Sequence, residues 1–179
     1  MYILSAAILL VGALCIINLI FTMGVIKRLR EHTALLRGSN DPMAIELGTE
    51  IGDFTALTID GEQIDHESLT AETSIAFFSP NCKPCKEKLP GFVAYAAGLP
   101  RGRNQVLAVV AGNADMAAGF TAELRQVARV VVEGPSGPLV SAFGVRAFPT
   151  VLTVAPNRHG RLEVIANKVD LGQPATVAA

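Results

Sequence analysis

Tryptophan is absent, and the two tyrosines and eight phenylalanines are scattered rather than interleaved with basic residues. With a net charge of −1, this leaves no electrostatic footprint for nucleic acid. Cysteine is scarce, three in 179 residues, too few for a scaffold stapled by disulfides. No segment repeats and none is of low complexity. Charge is missing altogether from residues 1–26, and no basic residue precedes Lys27. A cleavable signal peptide would need a basic start, a shorter apolar core and a small-x-small exit. What is there instead is an apolar run long enough to cross a hydrocarbon core of about 30 Å as a helix. Residues 1–26 are therefore expected to be an uncleaved, single-pass anchor that meets the lipid bilayer through residues 3–26. A lipoprotein cysteine normally follows a small residue, whereas Cys15 follows Leu14, so Cys15 reads most simply as a small apolar helix residue.

Lys27, Arg28, Arg30 and Arg37 follow the anchor. The loop-charge rule places such residues, and the domain behind them, in the cytoplasm, where reducing pools keep a dithiol reduced. Residues 27–47 read as a linker, with the turn-rich Gly38-Ser39-Asn40-Asp41-Pro42 inside it. The folded domain is expected over 48–170, followed by a flexible tail of small and polar residues, 171–179.

Within the domain, residues 52–64 alternate apolar and polar around Asp60-Gly61, a hairpin signal. Thr73 to Phe78 reads as a buried strand and Gln105 to Val110 as a central one. Asn113 offers a cap to a helix expected over 116–128. A short strand at 129–132, a brief helix at 137–143, and two strands at 150–154 and 161–166 across an Asn157-to-Gly160 turn complete the pattern. Strands alternating with helices predict an α/β layer fold.

The chemistry gathers at Ser79-Pro80-Asn81-Cys82-Lys83-Pro84-Cys85-Lys86, between the strand ending at Phe78 and a helix read over 87–95. At the first turn of a helix the backbone N–H groups are unpaired and the dipole is positive, which favours a thiolate. Cys82 is the expected nucleophile and Cys85 the resolving thiol, with Lys83, Lys86 and Lys88 adding positive charge. A zinc half-site is the competing explanation. A structural site wants four ligands, the third cysteine is far upstream at Cys15, and His32, His66 and His159 show no ligand spacing with the pair. No metal is assigned. The second landmark is Phe148-Pro149-Thr150, just before a strand, where proline would cost a ladder hydrogen bond; taken alone it reads as a strand-start proline.

In this order and spacing the two landmarks resemble the thioredoxin superfamily, and within it the membrane-anchored, TlpA- and MauD-like thiol–disulfide oxidoreductases. The resemblance runs from about Gly48 to Lys168. It implies a thioredoxin-like fold in which the hairpin is the N-terminal extension of that branch. It also implies that Cys82 and Cys85 are the redox pair, with Pro149 the cis-proline facing them. Phe148, Pro149 and Thr150 would line the groove that takes a partner's backbone. Lys83 and Pro84 stand where the residues between the cysteines help set the potential. Several positions depart from the pattern: Asn81 replaces a common tryptophan, Ala76 a frequent buried acid, and Lys88 a frequent glutamate, leaving Glu87 or water for proton transfer. The fold's C-terminal helix looks truncated.

The resemblance further implies reduction or isomerisation of disulfides in partner proteins, regeneration by a membrane electron donor, and no dissociable cofactor. Relatives in this branch hold the domain outside the cytoplasmic membrane, opposite to the loop-charge reading. A copper(I)-delivery module is the alternative, since soft thiolates select that ion; it needs a third ligand, for which His159 is the candidate. A docking protein with a vestigial dithiol is a third.

Overall fold

The computed structural model describes residues 45–167, with 12, 14, 18, 21, 169 and 171. By contacts the chain divides into two units, 1–42 and 43–179. Of the expected anchor, Gly12, Leu14, Asn18 and Phe21 are described, each helical and exposed; the rest of it, most of the linker and the tail from 172 onward lie outside the described residues. Among the described residues no helix is long and apolar enough to cross a membrane.

The second unit is built on β3 (Thr73–Phe78) and β4 (Val106–Ala111), whose residues are all buried. Such continuous apolar runs fit strands covered on both faces. The sheet order is β5-β4-β3-β6-β7, with β5 at Arg129–Glu133, β6 at Thr150–Pro156 and β7 at Leu162–Ala166. β3, β4 and β5 are parallel, while β6 is antiparallel to both β3 and β7.

Alternation along the strands divides the core in two. Ala76 and Phe78 face helices α1 (Lys83–Ala97) and α2 (Ala114–Leu124), where Phe78 meets Phe92 and Phe120 at centroid distances of 5.4 and 5.8 Å. Ile75 and Phe77 face the other way, toward the short helix α3 (Pro138–Ala142) and the hairpin of β1 (Thr55–Leu57) and β2 (Gln63–Asp65). Phe143, just after α3, packs on Phe77 and Phe54 at 5.3 and 5.7 Å.

The residues ahead of β3 cover both edges of the sheet. Gly48 and Ile51 donate backbone bonds to Val164 and Leu162 of β7, and Ile59 donates to Val130 of β5. The hairpin turn is further tied by Asp60 to Arg103 and Arg125, and by Glu62 to Arg129 at 3.3 Å. Covered edges cannot template pairing with other chains.

The expected elements are present, with shifted ends. α2 stops at Leu124 rather than 128, because Val127 and Ala128 both donate to Leu124 O as the chain tightens to enter β5 with Ala128 buried. The helix read over 87–95 instead runs from Lys83 to Ala97 and passes through Pro90; burial of Leu89 and Phe92 outweighs the lost backbone bond. Gln105 belongs to a 3-10 turn, Gly102–Gln105, ahead of β4.

Phe78→Ala removes a ring that is fully buried between two others. It is expected to lower stability by about 3–5 kcal/mol, read by denaturant unfolding of the purified chain; a loss below about 1 kcal/mol would mean the α1–α2 face is not packed as described.

Candidate active site

Cys82 is the N-cap of α1, with extended backbone at φ −92 and ψ 114. Its Sγ accepts the Cys85 N–H at 3.3 Å, satisfying one of the orphan donors of the first turn. Pro84 has no N–H to offer and sits in that turn, where none is needed. The loop is closed by Cys82 N–H donating to Ser79 O at 3.1 Å.

Cys85 lies one turn in and points at the sheet. It is fully buried in the cluster with Ala76, Phe78 and Phe92, and its Sγ accepts the Ser79 N–H at 3.5 Å. Burial, then the hydrogen bond and the charge of Cys82, push the Cys85 thiol up to about 12, against a smaller opposing pull from the Ser79 N–H. Cys82 is partly exposed. One cysteine of the pair is thus partly exposed and the other lies buried behind it.

Across from Cys82 stands the loop into β6. The Phe148–Pro149 peptide is cis, and the Cys82 thiol donates to Phe148 O at 3.3 Å. Thr150 begins β6 and its hydroxyl donates to Ala147 O at 2.7 Å. Cys82, Cys85, Phe148, Pro149 and Thr150, expected together, are thus brought to one end of the sheet. Lys83 and Glu87 are not brought onto Cys85: they pair with each other at 3.9 Å on the outer face of α1, both largely exposed. Glu87 is two residues from Cys85, a spacing at which helical side chains do not face each other. Ala76 is fully buried, so the frequent buried acid has no counterpart on this strand.

His159 sits in the turn after β6, its N–H donating to Asn157 Oδ1. β6 begins beside the cysteines and runs from Thr150 to Pro156, so the turn lies about 20 Å away along the strand. The candidate third copper ligand is therefore at the wrong end of the sheet. Among the described residues no group of three or more His, Cys, Asp or Glu side chains could hold a metal ion. A cleft of about 510 Å³ lined by Asp53, Thr55, Asp65 and His66 lies along the hairpin, bordered by neither cysteine.

Three neighbours were not legible beforehand. Met116, an exposed methionine in the first turn of α2, takes the Asn81 side-chain N–H on its sulfur at 3.7 Å. Gly112 lies against Pro80, where a Cβ would come within 3.1 Å. Glu133 caps α3 from β5. Each is distant from the motif in sequence, and no local pattern ties it to the dithiol.

No protein-family model and no curated protein matches the chain by sequence. Solved structures match it by fold. The thioredoxin domain of a thiol-disulfide oxidoreductase from Bacteroides vulgatus superposes with a TM-score of 0.55 at 12% identity, over 70% of this chain and 90% of that one. The domain has a thioredoxin-like fold. A putative thioredoxin from Neisseria meningitidis gives 0.53 at 21% identity, over 71% and 85% of the two chains. A thiol:disulfide interchange protein from a Bacteroides species gives 0.52 at 14% identity, over 69% and 82%.

In this thioredoxin-like domain the sign of the pH dependence follows from Cys85. Unfolding releases its proton at about the ordinary thiol value of 9.0, whereas the folded chain holds it to about 12. The native state thus binds more protons in that window, and stability falls as pH rises from 9 toward 12, by at most about 1.4 kcal/mol per pH unit. Comparing Cys85→Ala with the parent by denaturant melts at pH 8 and pH 10.5 checks this: the parent should lose more stability than the variant, and equal losses would discount the buried thiol.

Proposed function

We propose that the chain is a membrane-tethered thiol–disulfide oxidoreductase of the TlpA- and MauD-like kind. It would reduce or isomerise disulfides of partner proteins on the outer side of the cytoplasmic membrane. The observation that carries this reading is the asymmetry of the dithiol: a partly exposed cysteine at a helix N-terminus, its sulfur against the Phe148 carbonyl, with a protonated, buried one behind it. A structural zinc or copper pair would hold both sulfurs toward one ion and needs further ligands.

In the reductive direction the Cys82 thiolate attacks a partner disulfide. The partner's S–S bond breaks, one of its sulfurs leaves as a thiolate, and Cys82 is joined to the other. Cys85 then loses its proton and attacks the Cys82 sulfur; the second partner thiolate leaves and the Cys82–Cys85 disulfide remains. Two electrons have passed from the pair to the partner. The mixed disulfide itself eases the second step. Two of the causes that hold the proton on Cys85, the hydrogen bond and the charge of Cys82, disappear once that sulfur is bonded. With Ala76 on the strand and Glu87 facing outward, water takes the proton. Phe148 and Thr150 flank the partner's backbone, and a membrane electron donor restores the dithiol.

Tethering is supported by the uncharged run 1–26. The outward orientation is supported by the resemblance, while the basic residues after the anchor argue for the opposite side. Thiol labelling of intact cells with an impermeant maleimide, in a Cys15→Ala background, separates the two: an outward domain labels before lysis, either directly or after reduction. Labelling only after lysis would put the domain in the cytoplasm.

Cys82→Ser is expected to abolish reduction of a protein disulfide, by at least about 10³-fold. Cys85→Ser should accumulate a mixed disulfide visible on a non-reducing gel. A Cys82→Ser chain that still turns over at the parent rate would sink the proposal.

A further inference from the structure

β3, β4 and β5 run parallel in a register that pairs Phe78 with Val110 and Ala111 with Glu133. Glu133 therefore ends β5 on the edge of the sheet where β3 delivers the dithiol loop. Its carbonyl accepts the Gly112 N–H at 2.8 Å, and Gly112 lies against Pro80, two residues before Cys82. That is one of its two attachments to the site.

The other is its side chain. The N-cap of α3 is Gly137, which has no side chain with which to cap the helix. The orphan donors are met from β5 instead: Glu133 Oε2 accepts the Leu139 N–H at 3.1 Å and Oε1 the Val140 N–H at 2.7 Å. Burial pushes the Glu133 carboxyl up, and the two N–H bonds pull it back. Even half-burying a carboxylate carries a cost, and a serine or aspartate at position 137 could have capped the helix locally. The carboxylate reaches across from a different element, so it ties that element to α3.

The far end of α3 leads to the thiol. Val145 N–H donates to Val140 O and Gly144 N–H to Ser141 O, a closed helix end with Gly144 at φ 61. Phe148 follows four residues after Gly144, packs against both halves of the core, and accepts the Cys82 thiol hydrogen bond. We propose that Glu133 is a positioning residue for the thiol site: by clamping the first turn of α3 to the end of β5, it holds the Phe148 carbonyl against Cys82 Sγ. This deepens the oxidoreductase reading, for it assigns the group that sets the face opposite the nucleophile.

Gly137 supplies an independent handle. Its backbone, at φ −67 and ψ 173, suits any residue, but a Cβ there would lie 2.4–2.7 Å from the Glu133 side chain. Gly137→Ala should therefore displace the carboxylate without touching it chemically. The test is alkylation of the reduced full-length chain by iodoacetamide at neutral pH, resolved at Cys82 by mass spectrometry. Freed from the Phe148 carbonyl, Cys82 should react about two- to tenfold faster in Glu133→Ala, the size of one lost hydrogen bond. Gly137→Ala should shift the rate the same way. Glu133→Gln keeps one oxygen for the two donors and should fall between Glu133→Ala and the parent. Val164→Ala, a buried side chain in the edge strand β7 with no hydrogen bond to Glu133 or α3, serves as a control for lost stability.

Parent-like rates in Gly137→Ala and Glu133→Gln would overturn the proposal, even if Glu133→Ala does not fold. So would accelerations no larger than that of Val164→Ala at equal loss of melting temperature. Alkylation needs no turnover, so a parent chain that fails to exchange disulfides would refute the oxidoreductase reading while these rates still judge Glu133.

Discussion

The antiparallel pairing of β3 with β6 is the constraint on which the rest depends. Its register sets Phe77 opposite Thr150, so the C-terminal end of β3 lies beside the first residue of β6. The loop leaving Phe78 carries Cys82, and the loop entering Thr150 carries Phe148 and Pro149. They meet because one strand ends where the other begins. A parallel pairing would have put them at opposite ends of the sheet, about as far apart as His159 is from the cysteines.

That register is held by burial on both sides. Along β3 the rings alternate, Phe77 toward Phe143 and Phe78 toward Phe92 and Phe120. A slip of one residue would exchange the two faces and bury Ala76 where a ring is needed. The same alternation aims the helices. α1 packs Leu89, Phe92 and Ala96 on the Phe78 side, which turns Cys85 inward and leaves Cys82 at the cap. Stability and reactivity thus share a cause: the packing that holds α1 to the sheet makes one thiol accessible and the other buried.

Much of this was legible early. The buried strands were continuous apolar runs, the Asp60-Gly61 turn announced the hairpin, and Asn113 marked the start of α2, where its side chain accepts the Met116 N–H at 2.9 Å. The cysteine spacing and the Phe-Pro-Thr tripeptide pointed to a common site. Helix ends were read less well, since Ala128 is set by the entry to β5 and not by any local stop signal. The helix read over 87–95 already ran through Pro90; α1 extends beyond it at both ends, with Leu89 and Phe92 buried on either side of the proline. Glu87 looked available to the dithiol from its place in the chain, but helical geometry turns it to solvent beside Lys83.

By itself the sequence determined the local chemistry: an uncharged run at the start, two thiols a helical turn apart, a proline before a strand, and apolar periods of two and of 3.6. These are properties of neighbours in the chain, set by side-chain type and backbone geometry. The tertiary structure decided what those groups face. It placed a carbonyl from residue 148 on the sulfur of residue 82, a carboxylate from residue 133 on the first turn of α3, and a backbone stretch from 48 to 59 on both sheet edges. Such contacts join residues tens of positions apart, and only the register of the sheet, fixed by burial on its two faces, brings them together.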